Sequence, residues 1–359
     1  METIEIDGSY LEGGGQILRT ALAMSVITGK RCHIFNIRKG RKVSGLMRQH
    51  LAVVRAIKDL TDSQCIGDTL FSEEILFTPN KSFKNLITID LSTASSVTLI
   101  AQPLMLVSLF SQKPITIHFI GGATDTLFAQ PADHFKYVFL SLLKQLGIFA
   151  EFEIEKRGFY PEGMARCKLY VQPVLKIPSK EQNFISQPDI KSITLIKRKK
   201  IEKVKIISGA TINLEKEKIA EKQLQALTKK LKKYKEITEE DLNYYFIETS
   251  GYHLSAIAKF ENTVLGYSAI STPEKDYNQM AEEVFENFEK QIKSKACLDK
   301  FAADQIIPFV ALCHQKCEFI VQEITKHLKT NILVVEKFIK GKFTIDEENK
   351  KITWSGYKI

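Results

Sequence analysis

The chain repeats itself three times, and a threefold internal repetition leaves few folds open. Gln16 to Lys30 reads as an apolar helix and a turn that lead into a strand at Cys32–Ile37. Gln102 to Lys113 does the same and leads into Ile115–Ile120, and Gln305 to Lys316 leads into Cys317–Val321. A polar or glycine-bearing loop follows each strand. A second amphipathic helix comes next, predicted over Gly45–Leu60, Pro131–Leu146 and Thr330–Ile339, and then another short strand. Apolar spacing of three and four marks the helices, and alternation with β-branched content marks the strands. Such a unit cannot bury its apolar face alone but can do so against its own copies. The predicted fold class is therefore α/β, in α+β layers, with a large domain of three repeated βα units.

Between the second and third copies the period breaks. The interruption, 201–271, is rich in lysine. It carries a helical stretch over 215–234 with Ile219, Leu224, Leu227 and Leu231 on one face, and strands at Val204–Ile207 and Leu254–Phe260. This predicts a small inserted α/β domain over 201–271, leaving 1–200 and 272–359 to the large domain. The segment Pro178–Pro188, polar and bounded by prolines, reads as loop.

Composition narrows the setting. At 44% hydrophobic, the chain can bury a sizeable core without covalent staples. Its cysteines, at 32, 65, 167, 297, 313 and 317, form no disulfide framework, and no secretory signal precedes them, so a cytoplasmic, reducing compartment is expected. The longest apolar run, Val97–Phe110, is interrupted by Gln102 and Pro103 and is too short to span a bilayer, so no membrane partner is expected. Cys313-His314-Gln315-Lys316-Cys317 lacks both a CxxC pair and a second ligand pair, which disfavours structural zinc. A formal net charge of +9 favours a polyanionic partner such as nucleic acid. Much of the excess lies in the runs Lys197–Lys200 and Lys229–Lys233, which read as solvated faces.

The residues that carry chemistry cluster around the copies. Gly13-Gly14-Gly15 stands between the strand Thr3–Ile6 and a helix beginning near Gln16. Three glycines cost backbone entropy on ordering. Such a turn aims free N–H groups and a helix dipole at an anion, or else it is merely structural, and its spacing is not that of a Walker A loop. Glu12 could hold a divalent cation through a hard oxygen, and Arg19 could reach a phosphate. Arg38 and Arg41 flank Gly40 in the loop after the first copy's strand, where guanidinium forks suit a terminal phosphate and a solvated basic turn is the alternative. His50, beside Gln49, shares a stripe with Leu46, Val53, Val54 and Ile57, so a core or boundary histidine is the default reading. His327 follows the third copy's strand, in a loop matching the arginine-bearing loop of the first copy. Copies packed around one centre would bring these loops together. A neutral imidazole there is a competent nucleophile toward phosphorus.

Six ordered blocks carry a more specific likeness: DGSYLEGGGQILRTALAMSVITGK, IRKGRKVSGLMRQHL, GGATDTLFAQPADHF, RGFYPEG, ADQIIP and HLKTNILVVEKF. Together they resemble the RNA 3'-terminal phosphate cyclases. The likeness covers most of the first 175 residues and the last 80 or so, and is thin across the insert. The resemblance implies a large domain of three βα repeats, like the C-terminal domain of a bacterial translation initiation factor, with a small inserted domain. It implies ATP, a divalent metal (Mg or Mn) and RNA with a 3'-phosphate end as cofactors and partners. The implied reaction passes through a histidine–AMP and an RNA adenylate to a 2',3'-cyclic phosphate. By matching position it implies that His327 is the nucleophile and that Glu12 holds the metal. Arg19, Gln49 and His50 would line the triphosphate or metal region, and Arg38 and Arg41 would grip the RNA phosphate. Gln102, Pro131, Phe135, Phe301, Ala302, Ala303, Asp304 and Gln305 would form the nucleotide pocket. The chain departs from the family's pattern at Gly163-Met164-Ala165, where further glycines are usual, and at Phe301, where a tyrosine often stands.

Overall fold

The computed structural model describes residues 1–174 and 189–357, so the predicted loop Pro178–Pro188 lies outside the described residues. The first copy runs β1 (Thr3–Asp7), α1 (Gly15–Thr28), β2 (Arg31–Phe35), α2 (Arg48–Thr61), β3 (Gln64–Ile66) and β4 (Ile75–Thr78). Its sheet has the order β1-β2-β4-β3, with β1 and β2 parallel and the other pairs antiparallel. The second copy runs β5 (Leu86–Ser96), α3 (Val97–Ser108), β6 (Ile115–Ala123), α4 (Ala132–His134), a π-helical stretch (Phe135–Phe139), α5 (Leu140–Gln145), β7 (Ala150–Lys156) and β8 (Arg166–Val171). Its order, β5-β6-β8-β7, and its strand directions repeat those of the first.

The third copy starts with β9 (Thr194–Leu195) and is interrupted at once. The interruption comprises β10 (Ile201–Thr211), α6 (Ile219–Lys230), β11 (Thr238–Tyr245), β12 (Tyr252–Phe260), β13 (Val264–Ile270) and α7 (Tyr277–Lys293). Its strands form a separate sheet in the order β11-β10-β12-β13. The copy then resumes with α8 (Lys300–Val310), β14 (Cys317–Ile320), α9 (Lys326–Phe338), β15 (Phe343–Asp346) and β16 (Lys351–Trp354). Here β9 pairs parallel to β14, and the order β9-β14-β16-β15 matches the other two copies. The insert therefore sits inside the crossover between two parallel strands, the place where a long connection is required in any case.

Burial explains how the copies share a core. Strand β1 alternates exposed and buried residues, as expected of a sheet with one solvated face. Helix α1 is buried on nearly all sides, with Leu22, Ala23 and Met24 fully covered, because α2, α3 and α9 all pack on it. Helices α3 and α8 touch each other, as do α8 and α9. The helices of the three copies thus meet in the middle. Among the described residues, no helix is long and apolar enough to cross a membrane.

The inserted sheet has its own apolar cluster, in which Val204, Ile206, Leu227 and Leu254 pack with Met280, Val284 and Phe288 of α7. That helix lies beyond residue 271, so the second core extends past the boundary read from sequence. A buried polar network joins the insert to the second copy. Arg157 donates to Asp125 at 3.1 Å and also reaches Asp133, while Ser255 and His253 of β12 approach the second oxygen of Asp133 at 3.3 and 3.0 Å. Burial alone would raise the Asp133 carboxyl, but Arg157 and His253 hold it well below the carboxylate range.

Candidate active site

The glycine turn opens onto a cleft of about 1150 Å³ between the first and third copies, the β6–α4 loop and the insert. Each glycine has a different reason to lack a side chain. Gly13 has φ +54°, a left-handed conformation in which a Cβ is strained. Gly15 lies directly under the His50 ring, and a Cβ there would run into the imidazole. Gly14 caps α1 without a side-chain partner. A Cβ on it would lie 3.7 Å from His327 Cε1 and 3.8 Å from Arg41 Nη2, so the turn stands against both residues.

His327 is in the first turn of α9, not in the loop expected from sequence. Thr325 caps that helix, accepting from the Leu328 N–H at 2.9 Å and donating to the Asp304 carboxylate at 2.5 Å. Gln16 of α1 donates to the His327 carbonyl at 2.5 Å. One turn further on, Asn331 accepts from Thr20 of α1 at 2.7 Å and donates to the Asp304 carbonyl at 2.6 Å. The start of α9 is therefore fixed to α1 and α8 by hydrogen bonds and has little freedom to move.

The His327 imidazole is 48% exposed, so a ligand can reach it, and its Nδ1 lies 3.2 Å from Glu12 Oε2. A carboxylate beside Nδ1 favours the tautomer with its proton there, which leaves the lone pair on Nε2. Burial lowers the His327 pKa below its ordinary value and Glu12 opposes this, but Arg19 and Arg41 add to the lowering. The ring is consequently neutral at pH 7. Burial pushes the Asp304 carboxyl up to about 8, helped by Asp299, Glu323 and Glu12.

His50 is a hydrogen-bond donor poised over the turn. Its Nδ1 accepts from the Met47 backbone N–H at 3.1 Å, which leaves the proton on Nε2 beside Gly15. Burial, with Arg19 and Arg38 nearby, lowers its pKa to about 3, so it stays neutral. Burial brings the Arg19 guanidinium down to about 10, still fully charged at neutrality. Arg38 stands at φ +58°, a left-handed conformation that turns its loop, and its guanidinium donates to the Gly45 carbonyl at 3.4 Å. Gln49 accepts from the Ser96 N–H at 3.1 Å and so ties the start of α2 to that of α3.

Of the residues predicted from sequence, Glu12, Arg19, Arg38, Arg41, Gln49, His50, Gln102, Pro131, Phe301, Asp304, Gln305 and His327 all line this one cleft. Three do not reach it. Phe135 is 1% exposed and packs edge-on against Phe152 with ring centroids 5.2 Å apart, while Ala302 and Ala303 are wholly buried in the shared core. The insert adds residues that the sequence reading passed over: Tyr267, Lys275 and Glu283 line the cleft, joined by hydrogen bonds of 2.9 and 2.5 Å to the Glu283 carboxylate. Phe301 is framed by Tyr267 at 6.3 Å and by His134 at 6.0 Å, so the third copy, the insert and the second copy support one aromatic wall. Thr20 and Asn331, also missed, both lie on predicted helices, where facing polar positions are the signal that would have found them.

Among the described residues, no group of three or more His, Cys, Asp or Glu gathers as a metal cage. Glu12 instead offers a single carboxylate beside cationic side chains. This suits a cation such as Mg²⁺, which takes one or two carboxylates and completes its shell with phosphates and water.

The model of the RNA 3'-terminal phosphate cyclase family matches residues 10–345. The chain is 36% identical over 342 residues to the RNA 3'-terminal phosphate cyclase of Pyrococcus furiosus, covering 95% of each chain. It is 34% identical to that of Archaeoglobus fulgidus, covering 97% of this chain and 99% of the other, and 30% identical to that of Drosophila melanogaster, covering 96% and 93%. Matched along nearly its whole length, the chain belongs to the RNA 3'-terminal phosphate cyclase family.

Proposed function

We propose that this protein converts an RNA 3'-terminal phosphate to a 2',3'-cyclic phosphate at the expense of ATP, with His327 as the covalent nucleophile. The observation that carries the reading is the 3.2 Å approach of the Glu12 carboxylate to His327 Nδ1 at the mouth of the glycine turn. It leaves Nε2 of a neutral ring facing a cleft that Arg19, Arg38 and Arg41 make cationic.

In the first step Nε2 bonds to the α-phosphorus of ATP, the bond to the β-phosphate oxygen breaks and pyrophosphate leaves. The positive charge that grows on the imidazole is offset by the Glu12 carboxylate beside Nδ1. Arg19, the His50 Nε2–H and the N-terminal end of α1 offset negative charge developing on the phosphate oxygens. A divalent ion held by Glu12 would neutralise further phosphate charge when bound. In the second step an oxygen of the RNA 3'-phosphate, gripped by Arg38 and Arg41, attacks the same phosphorus and the P–N bond breaks. In the third, the neighbouring ribose 2'-oxygen attacks the terminal phosphorus, losing its proton, and AMP leaves. A phosphate monoester oxygen is a poor leaving group until it is activated, which is why ATP is required.

ATP labelled at its α-phosphate tests this directly. Wild-type protein should acquire an acid-labile, base-stable label that His327→Ala fails to acquire. An unlabelled wild type would instead favour a noncatalytic role of the kind known for a ribosome-assembly relative of these enzymes.

A further inference from the structure

Phe128 is the most exposed large apolar residue of the described chain, at 100%, and it lines the catalytic cleft. Its neighbour Leu127 is 37% exposed. Phe128 also has φ +60°, a conformation that bulky L-residues rarely adopt and that persists where surrounding structure imposes it.

The surroundings do impose it. On one side of the loop the Thr124 and Asp125 N–H groups donate to the Gly158 carbonyl, and the Asp125 carboxylate is paired with Arg157. On the other, Thr98 Oγ1 donates to the Gln130 carbonyl at 3.0 Å, and the Ala132 N–H donates to Thr124 O at 3.0 Å. A ring on a loop clamped at both ends is presented at little further entropic cost when a ligand binds.

We propose that Phe128 is the platform on which the base of the RNA's 3'-terminal nucleotide stacks. The inference rests on the cyclase reading of the site and adds to it the group that recognises the nucleoside beside the reacting phosphate. The proposed reaction needs two bases in one cleft, the adenine of ATP and the terminal base of the RNA. Among the aromatic residues that line the cleft, Phe301 and Phe128 differ in character. Phe301 is half-buried and already framed by His134 and Tyr267, which suits a ligand enclosed on several sides. Phe128 is free and faces solvent, which suits the splayed end of a strand that continues outward. Arg38, Arg41 and Lys42 line the same cleft and supply cationic partners for the phosphates next to that base. Stacking on a ring face also tolerates any of the four bases.

The test is equilibrium binding without ATP. Two oligoribonucleotide 3'-phosphates, identical except that one lacks its terminal base, are titrated against wild type, Phe128→Ala and Phe128→Trp. Wild type should prefer the intact end by about 5- to 150-fold, the range that stacking of one base provides. Phe128→Ala should lose most of that preference and Phe128→Trp should keep it. The ring is fully exposed, so the alanine variant removes no packing. Equal preference in wild type and Phe128→Ala overturns the proposal, as does a Phe128→Ala variant that binds an ATP analogue more weakly while its RNA preference stays intact. Self-adenylylation of the wild type is scored separately. Its absence sinks the cyclase reading, whereas the binding ratio still decides whether Phe128 holds a base.

Discussion

The charges around His327 govern the protonation of its ring. Burial, Arg19 and Arg41 disfavour the imidazolium, and Glu12 alone favours it. The folded-state pKa therefore lies below the ordinary histidine value, so the rate of self-adenylylation should rise with pH through that lowered value and level off above it. Removing the Arg41 cation takes away one lowering influence. In Arg41→Ala the acid limb of the self-adenylylation profile should move to higher pH, and an unmoved limb would show that the Arg41 charge is not felt at the ring. The same variant should lose more in the RNA step than in the first step, since its guanidinium is assigned to the RNA phosphate. Much of this constellation was legible in the sequence, because glycine runs, paired arginines and a histidine at a repeat junction are unusual enough to stand out. Phe135, Ala302 and Ala303 were misplaced because neighbours in a motif point to opposite sides of a helix, and a shared motif does not say which side faces the ligand.

Elements settle why the glycine run takes the form it does. The glycines were expected to clear space for phosphates and their metal; in the structure Gly14 stands against His327 and Arg41, while Gly15 makes room for the His50 ring. The two positions should therefore respond differently to alanine. Gly15→Ala must displace His50, breaking its bond to the Met47 N–H, and should cost about 1–3 kcal/mol of stability by overpacking. Gly14→Ala, at φ −82° and with only ordinary contacts for a Cβ, should leave the urea midpoint close to wild type. Equal losses in the two variants would refute this division of labour. The repetition itself was readable because its helices are long and apolar. Its register was not: α1 begins beside Gln16, whereas α3 and α8 begin more than a turn ahead of Gln102 and Gln305, so Thr20 is the true counterpart of those glutamines. Strand β9 was invisible, since two residues carry no alternation and its partner β14 lies on the far side of the insert.

At the scale of the whole molecule, the insert is a wall of the active site as well as an interruption of the third copy. Tyr267, Lys275 and Glu283 line the cleft, and α7 holds the strand that carries Tyr267. The insert's end at 271 rested on a shift in composition, while the side on which α7 packs is decided only in three dimensions. What fixes the insert to the second copy is the network around Arg157, which is 7% exposed between two carboxylates that are almost wholly buried. Replacing Arg157 by Met strands the charges of Asp125 and Asp133 away from water, and breaking a buried pair in this way costs about 3–5 kcal/mol. Without Arg157, burial would raise the Asp133 carboxyl, so the deficit should be largest near neutrality and shrink as acid protonates it. In urea, Arg157→Met should unfold earlier than wild type. It should also need more ATP to half-saturate self-adenylylation, because Tyr267 would no longer be held against Phe301. Unchanged ATP saturation in a destabilised Arg157→Met protein would mean that the insert supports the fold without shaping the nucleotide site.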